Sequence, residues 1–134
     1  MLRCEANVRL DLPQAAKQSN GVPPKFKQRV CYEIAGDGSA TYRDEVQRAC
    51  MASRIRYRFR DVASPADLTS IYSACDAFIM TSVQLPGSVE GFGISYLEAS
   101  MHEKPIVAFR TGGVEEAVVH ERTGLMVRRV ICKA

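Results

Sequence analysis

The sequence predicts an α/β domain built on a Rossmann-like open parallel sheet with helices on both faces. Two observations predict it. Short apolar segments alternate with helical segments along the chain, and glycine-rich turns follow several of the apolar segments. Because right-handed crossovers join parallel strands, this order gives a doubly wound sheet, whose ligands collect at the carboxyl ends of the strands. We expect residues 29–127 to form the domain, 1–28 to be a poorly assigned N-terminal segment, and 128–134 to be a tail.

The elements follow from local patterns. Strands are predicted at residues 29–35, 55–59, 77–80, 105–109 and 124–127. Helices are predicted at 41–53, 92–101 and 113–119, and a short one can form over 12–17. One more helix opens at Ser64-Pro65, because Ser64 can cap it, Pro65 suits its first turn and Asp67 favours the positive end of its dipole. Its apolar face carries Leu68, Ile71, Tyr72 and Cys75.

Composition narrows the function classes. The chain has 134 residues, a net charge of +3 and 25% charged residues, which is ordinary for one globular domain. Its densest basic stretch, Arg54 to Arg60, alternates with apolar residues, so we expect a strand there and no nucleic-acid partner. The 5 cysteines form no CxxC pair, and no apolar run reaches membrane-spanning length. We therefore expect no metal site, no membrane span and a cytoplasmic location.

A glycine-rich turn precedes the predicted helix at 92–101. Gly91 and Gly93 flank Phe92 there, so backbone could approach a ligand closely. The N-terminus of a helix favours an anion, and a diphosphate would suit it. The alternative is a glycine turn with a purely structural purpose.

Two glutamates bracket this turn and its helix. Glu98 stands among apolar residues, eight positions after Glu90. That spacing rotates a helix by about 80°, so both carboxylates could lie near the same sheet edge. A carboxylate can accept hydrogen bonds from the vicinal hydroxyls of a ribose, and a second one could hold a sugar hydroxyl. The alternative is that Glu98 is a solvated surface residue. Gly112 and Gly113 expose backbone amides at the next strand-to-helix turn.

Taken in order, these segments resemble the C-terminal, nucleotide-sugar-binding domain of glycosyltransferases with the GT-B fold, of the family 4 or glycosyl transferases group 1 type. The resemblance covers about residues 30–127 and is strongest over Glu90-Gly-Phe-Gly-Ile-Ser-Tyr-Leu-Glu98. Further similar segments are 34–38, 67–79, 104–107, 112–113 and 123–127.

The resemblance implies roles for the matching residues. Glu90 would contact the donor sugar as the catalytic residue, and Glu98 would bind the ribose hydroxyls. Asp61 and Val62 would hold the nucleobase, largely through backbone. The remaining donor-binding positions, which present backbone to sugar and phosphate, are Gly91, Phe92, Gly93, Gly112 and Gly113. The resemblance also implies a UDP- or GDP-sugar as donor, transfer of a hexose with retained anomeric configuration, and neither cofactor nor metal.

The chain also departs from that family. It leaves no room for the N-terminal domain, and the family's basic arginine–lysine pair has no match, Arg9 and Lys17 being the nearest candidates at the wrong spacing. The usual closing helices after Val127 are missing. We therefore expect a donor-binding domain that transfers sugar only with a missing domain or partner, and a homodimer formed through exposed edges. The alternative is a non-catalytic module that reuses the fold to bind nucleotides or proteins.

Overall fold

Six parallel strands form one sheet in the computed structural model, which describes residues 2–5, 23–36, 39–62, 64–81 and 93–128. The strands are β1 (Leu2–Glu5), β2 (Cys31–Ala35), β3 (Arg56–Arg60), β4 (Ala77–Met80), β5 (Ile106–Phe109) and β6 (Gly124–Val127). Their spatial order is β3-β2-β1-β4-β5-β6, with the direction of winding reversed between β1 and β4. This is the order of doubly wound nucleotide-binding sheets, and it confirms the predicted α/β class.

The described helices are α1 (Pro24–Lys27), α2 (Ala40–Ser53), α3 (Pro65–Ala74), α4 (Ile94–Met101) and α5 (Val114–Ala117). Within the described ranges, no helix has both the length and the apolar character needed to cross a bilayer. The predicted helix over 12–17 lies outside the described residues.

Strand β1 differs from the sequence prediction, which placed no strand before residue 29. It lies in the middle of the sheet, paired with β2 on one side and β4 on the other. The segment Leu2–Glu5 is only 4 residues long and includes two charged residues. Nothing local marks it as a strand, because its state is fixed by pairing with residues 30 or more positions away in the chain.

Capping confirms the predicted start of α3. The Ser64 side chain accepts a hydrogen bond from the backbone N–H of Asp67 at 3.2 Å, and its hydroxyl donates to the Asp67 carboxylate at 2.8 Å. Pro65 stands in the first turn, where its missing N–H costs nothing. Ser39 caps α2 in the same way through the N–H of Tyr42. Both helices therefore begin at residues that satisfy otherwise orphaned amide groups.

The core lies between the sheet and its helices. Its largest fully buried side chains include Phe78 of β4 and Tyr96 of α4, whose rings meet edge to face at 6.0 Å. One carboxylate is buried with them, since Glu33 of β2 is 1% exposed and lies 3.7 Å from the Arg58 guanidinium on β3. Apolar packing thus fixes β4 and α4, the two elements that flank the glycine-rich segment.

Candidate functional site

The predicted site residues that the structure describes come to one edge of the sheet. All strands are parallel, so their carboxyl ends meet there. Asp61 and Val62 follow β3, Gly93 begins the helix after β4, and Gly112 and Gly113 follow β5. The ends of β3 and β4 are three strand spacings apart, about 14 Å. Glu90, Gly91 and Phe92 lie outside the described residues.

Position 93 requires glycine for two reasons, its backbone conformation and the closeness of a neighbouring side chain. Its φ of +72° belongs to the left-handed region, and a Cβ there would lie 2.5 Å from Cδ2 of Tyr96. The Tyr96 hydroxyl in turn donates to the carbonyl of Met80, the last residue of β4, at 3.2 Å. The first turn of α4 is thereby fixed against the end of β4.

Glu98 is the fifth residue of α4, so it lies about 6 Å along the axis from the helix start. It is half-buried, and its Oε2 accepts a hydrogen bond from the hydroxyl of Tyr72 on α3 at 3.0 Å. Glu98 is therefore partly shielded from solvent and held by a residue of another helix.

The contact from Tyr72 was not foreseen. The helical spacing of α3 placed Tyr72 on the apolar face, and the ring is buried there, being 2% exposed. The spacing carries no information about the hydroxyl. The available signal was the residue type, because a buried tyrosine usually directs its hydroxyl to a hydrogen-bond partner.

A cavity of about 290 Å³ opens beside Glu98, between α3 and α4. Its lining is mainly apolar and consists of Pro65, Leu68, Thr69, Tyr72, Glu98, Met101 and His102. A second cavity of about 530 Å³ is larger, but it lies where β5 and β6 begin, against residues such as Pro105, Ile106 and Gly124. The smaller cavity is the better candidate, because Glu98 lines it, whereas none of the predicted site residues that the structure describes lines the larger one.

The helices that form this cavity are joined at their C-terminal ends. The His102 ring stacks on Tyr72 with centroids 5.4 Å apart and planes 16° apart. Its Nδ1 lies 3.3 Å from the Ser73 hydroxyl, and the Lys104 ammonium donates to the Ser73 carbonyl at 3.0 Å. These contacts of His102 and Lys104 hold the end of α4 and the turn after it to α3.

The other predicted positions differ in how they are held. The Asp61 carboxylate is 96% exposed and lies 3.5 Å from Arg43, so its side chain is a surface group. The backbone of Gly112 is left-handed, with a φ of +52°. Next to it, the Arg110 guanidinium lies 3.0 Å from the Glu115 carboxylate, and both are about half exposed. Arg110 thus places a cation at the carboxyl edge of the sheet. The sequence has no match to the family's basic arginine–lysine pair, and the nearest candidates, Arg9 and Lys17, lie outside the described residues.

Comparison with known families places this geometry in context. A family model described as "Glycosyl transferases group 1" matches residues 19–131, which is most of the chain. The chain belongs to this family. It is 40% identical over 72 residues to the D-inositol 3-phosphate glycosyltransferase of Corynebacterium diphtheriae, covering 54% of this chain and 16% of that protein. It is 31% identical over 110 residues to the same-named protein of Saccharomonospora viridis, covering 78% of this chain and 24% of that protein.

Solved structures show the same fold. The crystal structure of Anabaena Alr3699/HepE in complex with UDP and glucose matches with a TM-score of 0.73 and 23% identity, covering 95% of this chain and 34% of that one. A glycosyltransferase from Rickettsia africae matches with a TM-score of 0.72 and 19% identity, covering 95% and 33%. The family and the GT-B-type fold that the sequence resembled are thus confirmed. The chain spans between about a sixth and a third of the length of these proteins.

Proposed function

We propose that the chain binds a nucleoside-diphosphate sugar at the carboxyl edge of its sheet, as the donor-binding part of a glycosyltransferase. One observation carries the proposal: Glu98, the residue that the family motif assigns to the ribose, is a half-buried carboxylate in the wall of a cavity of about 290 Å³. Most of the cavity lining is apolar, which suits a nucleoside. A carboxylate in such a lining selects a partner with hydroxyl donors.

The remaining groups fit the rest of a nucleotide sugar. In this proposal the ribose hydroxyls donate to Glu98, and the nucleobase meets the backbone of Asp61 and Val62 where β3 ends. The diphosphate meets the amide groups at the N-terminus of α4, a helix of 8 residues that Gly93 precedes. Such amide groups attract anions. Gly112 and Gly113 approach it from the next turn. Glu90 contacts the sugar, and Phe92 and Gly91 present backbone beside it.

Transfer itself needs more than a bound donor. The proposed reaction moves a hexose from the diphosphate to an acceptor with retained configuration, and the departing diphosphate must be neutralised. Arg110 is a cation at the correct edge, held by Glu115 at 3.0 Å. The acceptor groups belong to a further domain or partner, because the described residues of this chain provide one half of a GT-B cleft.

Self-association also remains a prediction. Helix α4 exposes Ile94 (70%) and Met101 (84%), which face outward in this chain. Exposed apolar side chains favour burial in an interface, and a homodimer is the expected outcome. A cytoplasmic location stays an expectation of the same kind.

Calorimetry with UDP, GDP and ADP tests the donor site. We expect UDP or GDP to bind, and Glu98→Gln to weaken binding roughly tenfold or more, because it removes a charged hydrogen-bond acceptor. Glu45→Gln on α2 is the matched control, since that carboxylate is exposed and far along the chain from the site. If the folded chain binds none of the three at millimolar concentration, the donor site is wrong, and the non-catalytic module becomes the better reading.

A further inference from the structure

We infer that Tyr72 is a positioning residue for ribose recognition, because its hydroxyl holds the Glu98 carboxylate in a single orientation. The inference rests on the proposed nucleotide-sugar function and goes further, since it says what prepares the recognising group. It concerns a residue on a different helix, 26 positions earlier in the chain.

The hydrogen bond itself is well defined. The Tyr72 hydroxyl is 3.0 Å from Oε2 of Glu98, whereas its next acceptor, the Ser95 carbonyl, is 3.5 Å away. A hydrogen bond to a charged acceptor is stronger than one to a neutral carbonyl, so the proton is directed to Glu98. A carboxylate offers about four lone-pair positions, and Tyr72 uses one of them. The hydrogen bond from Tyr72 is at Oε2, so Oε1 is the atom that we expect to accept from ribose hydroxyls.

The Tyr72 hydroxyl is carried by a ring that is buried and packed against other rings. The Tyr72 ring contacts two other rings, His102, stacked at 5.4 Å, and Phe78, tilted at 5.6 Å. Lys104 and His102 fasten the following residue, Ser73, through contacts of 3.0 and 3.3 Å. A tyrosine has two side-chain torsions, and burial of the ring, which is 2% exposed, restricts them.

The fixed position of the Tyr72 hydroxyl affects the binding of a ligand to Glu98. Glu98 is half-buried and would otherwise sample several rotamers, which ligand binding would have to restrict. A carboxylate already held by Tyr72 loses less freedom when ribose binds, so affinity that depends on the hydroxyls increases. Both residues also line the same cavity of about 290 Å³, which places the hydrogen bond at the ligand.

The test is ribose selectivity, measured as the ratio of the Kd for 2′,3′-dideoxy-UDP to the Kd for UDP. The same ratio is measured for 2′,3′-dideoxy-GDP and GDP. We expect the wild-type chain to prefer the ribonucleotide roughly tenfold. Tyr72→Phe keeps the ring and its packing, and we expect it to lower this ratio about threefold or more while the dideoxy nucleotide binds as before. A merely structural role would weaken both nucleotides alike.

Tyr96→Phe is the matched control. It also removes a buried tyrosine hydroxyl, one that donates to the Met80 carbonyl at 3.2 Å and not to Glu98. Its ratio should equal the wild-type value. Replacement of Tyr72 by 4-aminophenylalanine restores a donor in place of the hydroxyl, so it should recover the ratio that phenylalanine loses. This variant also keeps the test decisive if Tyr72→Phe does not fold.

A double-variant cycle shows whether Tyr72 acts through Glu98. In a Glu98→Gln background, Tyr72→Phe should change the ratio no further. If Glu98→Gln abolishes the preference but Tyr72→Phe retains it, the inference is overturned and the donor site stands. If the wild-type chain binds both nucleotides equally, the ribose role of Glu98 and the inference fall while the nucleotide site stands. If it binds neither, the donor site falls and the inference with it.

Discussion

Gly93 and Tyr96 approach each other so closely that no side chain fits between them, since a Cβ on Gly93 would lie 2.5 Å from Cδ2 of Tyr96. Gly93 also has a φ of +72°, which L residues rarely adopt. Gly93 is therefore needed for the fold of this segment, independently of any contact with a ligand.

We expect Gly93→Ala to lower the free energy of unfolding by about 2–4 kcal/mol, combining the left-handed backbone with overpacking against the Tyr96 ring. Chemical denaturation would measure it. Gly112→Ala is the control, because Gly112 is also left-handed but is exposed, so it should cost about 1 kcal/mol. Equal losses in the two variants would show that the ring contact does not matter.

Gly124 gives a second prediction, based on space alone. A Cβ there would lie 2.8 Å from the Ile106 carbonyl and 2.9 Å from Cγ1 of Val118. The backbone of β5 cannot move aside cheaply, so Gly124→Ala should destabilise the chain by about 1–3 kcal/mol in thermal unfolding. Leu125→Ala on the same strand, half exposed, should cost clearly less. A Gly124→Ala variant as stable as the wild-type chain would contradict the close packing of β5 and β6.

How much could be predicted depends on the range of the interactions involved. Ser64-Pro65 marked the start of α3 because capping acts within three residues, and the predicted strand limits at 77–80 and 124–127 match β4 and β6. Strand β1 could not be predicted, because its state comes from pairing with β2 and β4. Local signals thus fixed the elements, and remote pairing fixed the centre of the sheet.

In the candidate site, too, residues marked by local sequence could be predicted and remote contacts could not. Glu98 could be singled out because a carboxylate in an apolar helix is unusual, and its place in a known motif gave it a role. Its partner Tyr72 belongs to another helix, so only the packing of α3 against α4 reveals the 3.0 Å hydrogen bond. The carboxylate of Asp61 is exposed and lies 3.5 Å from Arg43, so the predicted contact of this position with a nucleobase depends on its backbone, as the family resemblance implies.

A third prediction concerns the cap of α3. Ser64→Ala removes the hydrogen bond to the Asp67 N–H and the contact to its carboxylate, so we expect a loss of about 1 kcal/mol. The measurement is the denaturant midpoint. Ser70→Ala, an exposed position within the same helix, is the control and should be neutral or slightly stabilising, because alanine favours helices. If both substitutions have the same effect, Ser64 does not cap α3.

The last prediction is a pH dependence of stability that comes from Cys50. Burial raises the pKa of this thiol from 9.0 to about 11, because the charged thiolate is costly in the core, where the residue is 1% exposed. Between these two values the unfolded chain loses its proton while the folded chain keeps it. Fewer protons on the unfolded state mean that stability falls as pH rises. The contribution of Cys50 is therefore complete below pH 9 and is lost by about pH 11.

Replacing Cys50 with alanine removes this titration. Stability curves of wild-type and Cys50→Ala should converge by about 2 kcal/mol between pH 9 and 11, although the variant starts lower because it loses core packing. Cys31→Ala, at a half-buried position, is the control for replacing a cysteine. All other ionisable groups are common to wild type and Cys50→Ala, so the difference between their curves is the measured quantity. Parallel curves for wild type and Cys50→Ala would show that the buried thiol does not titrate with a raised pKa.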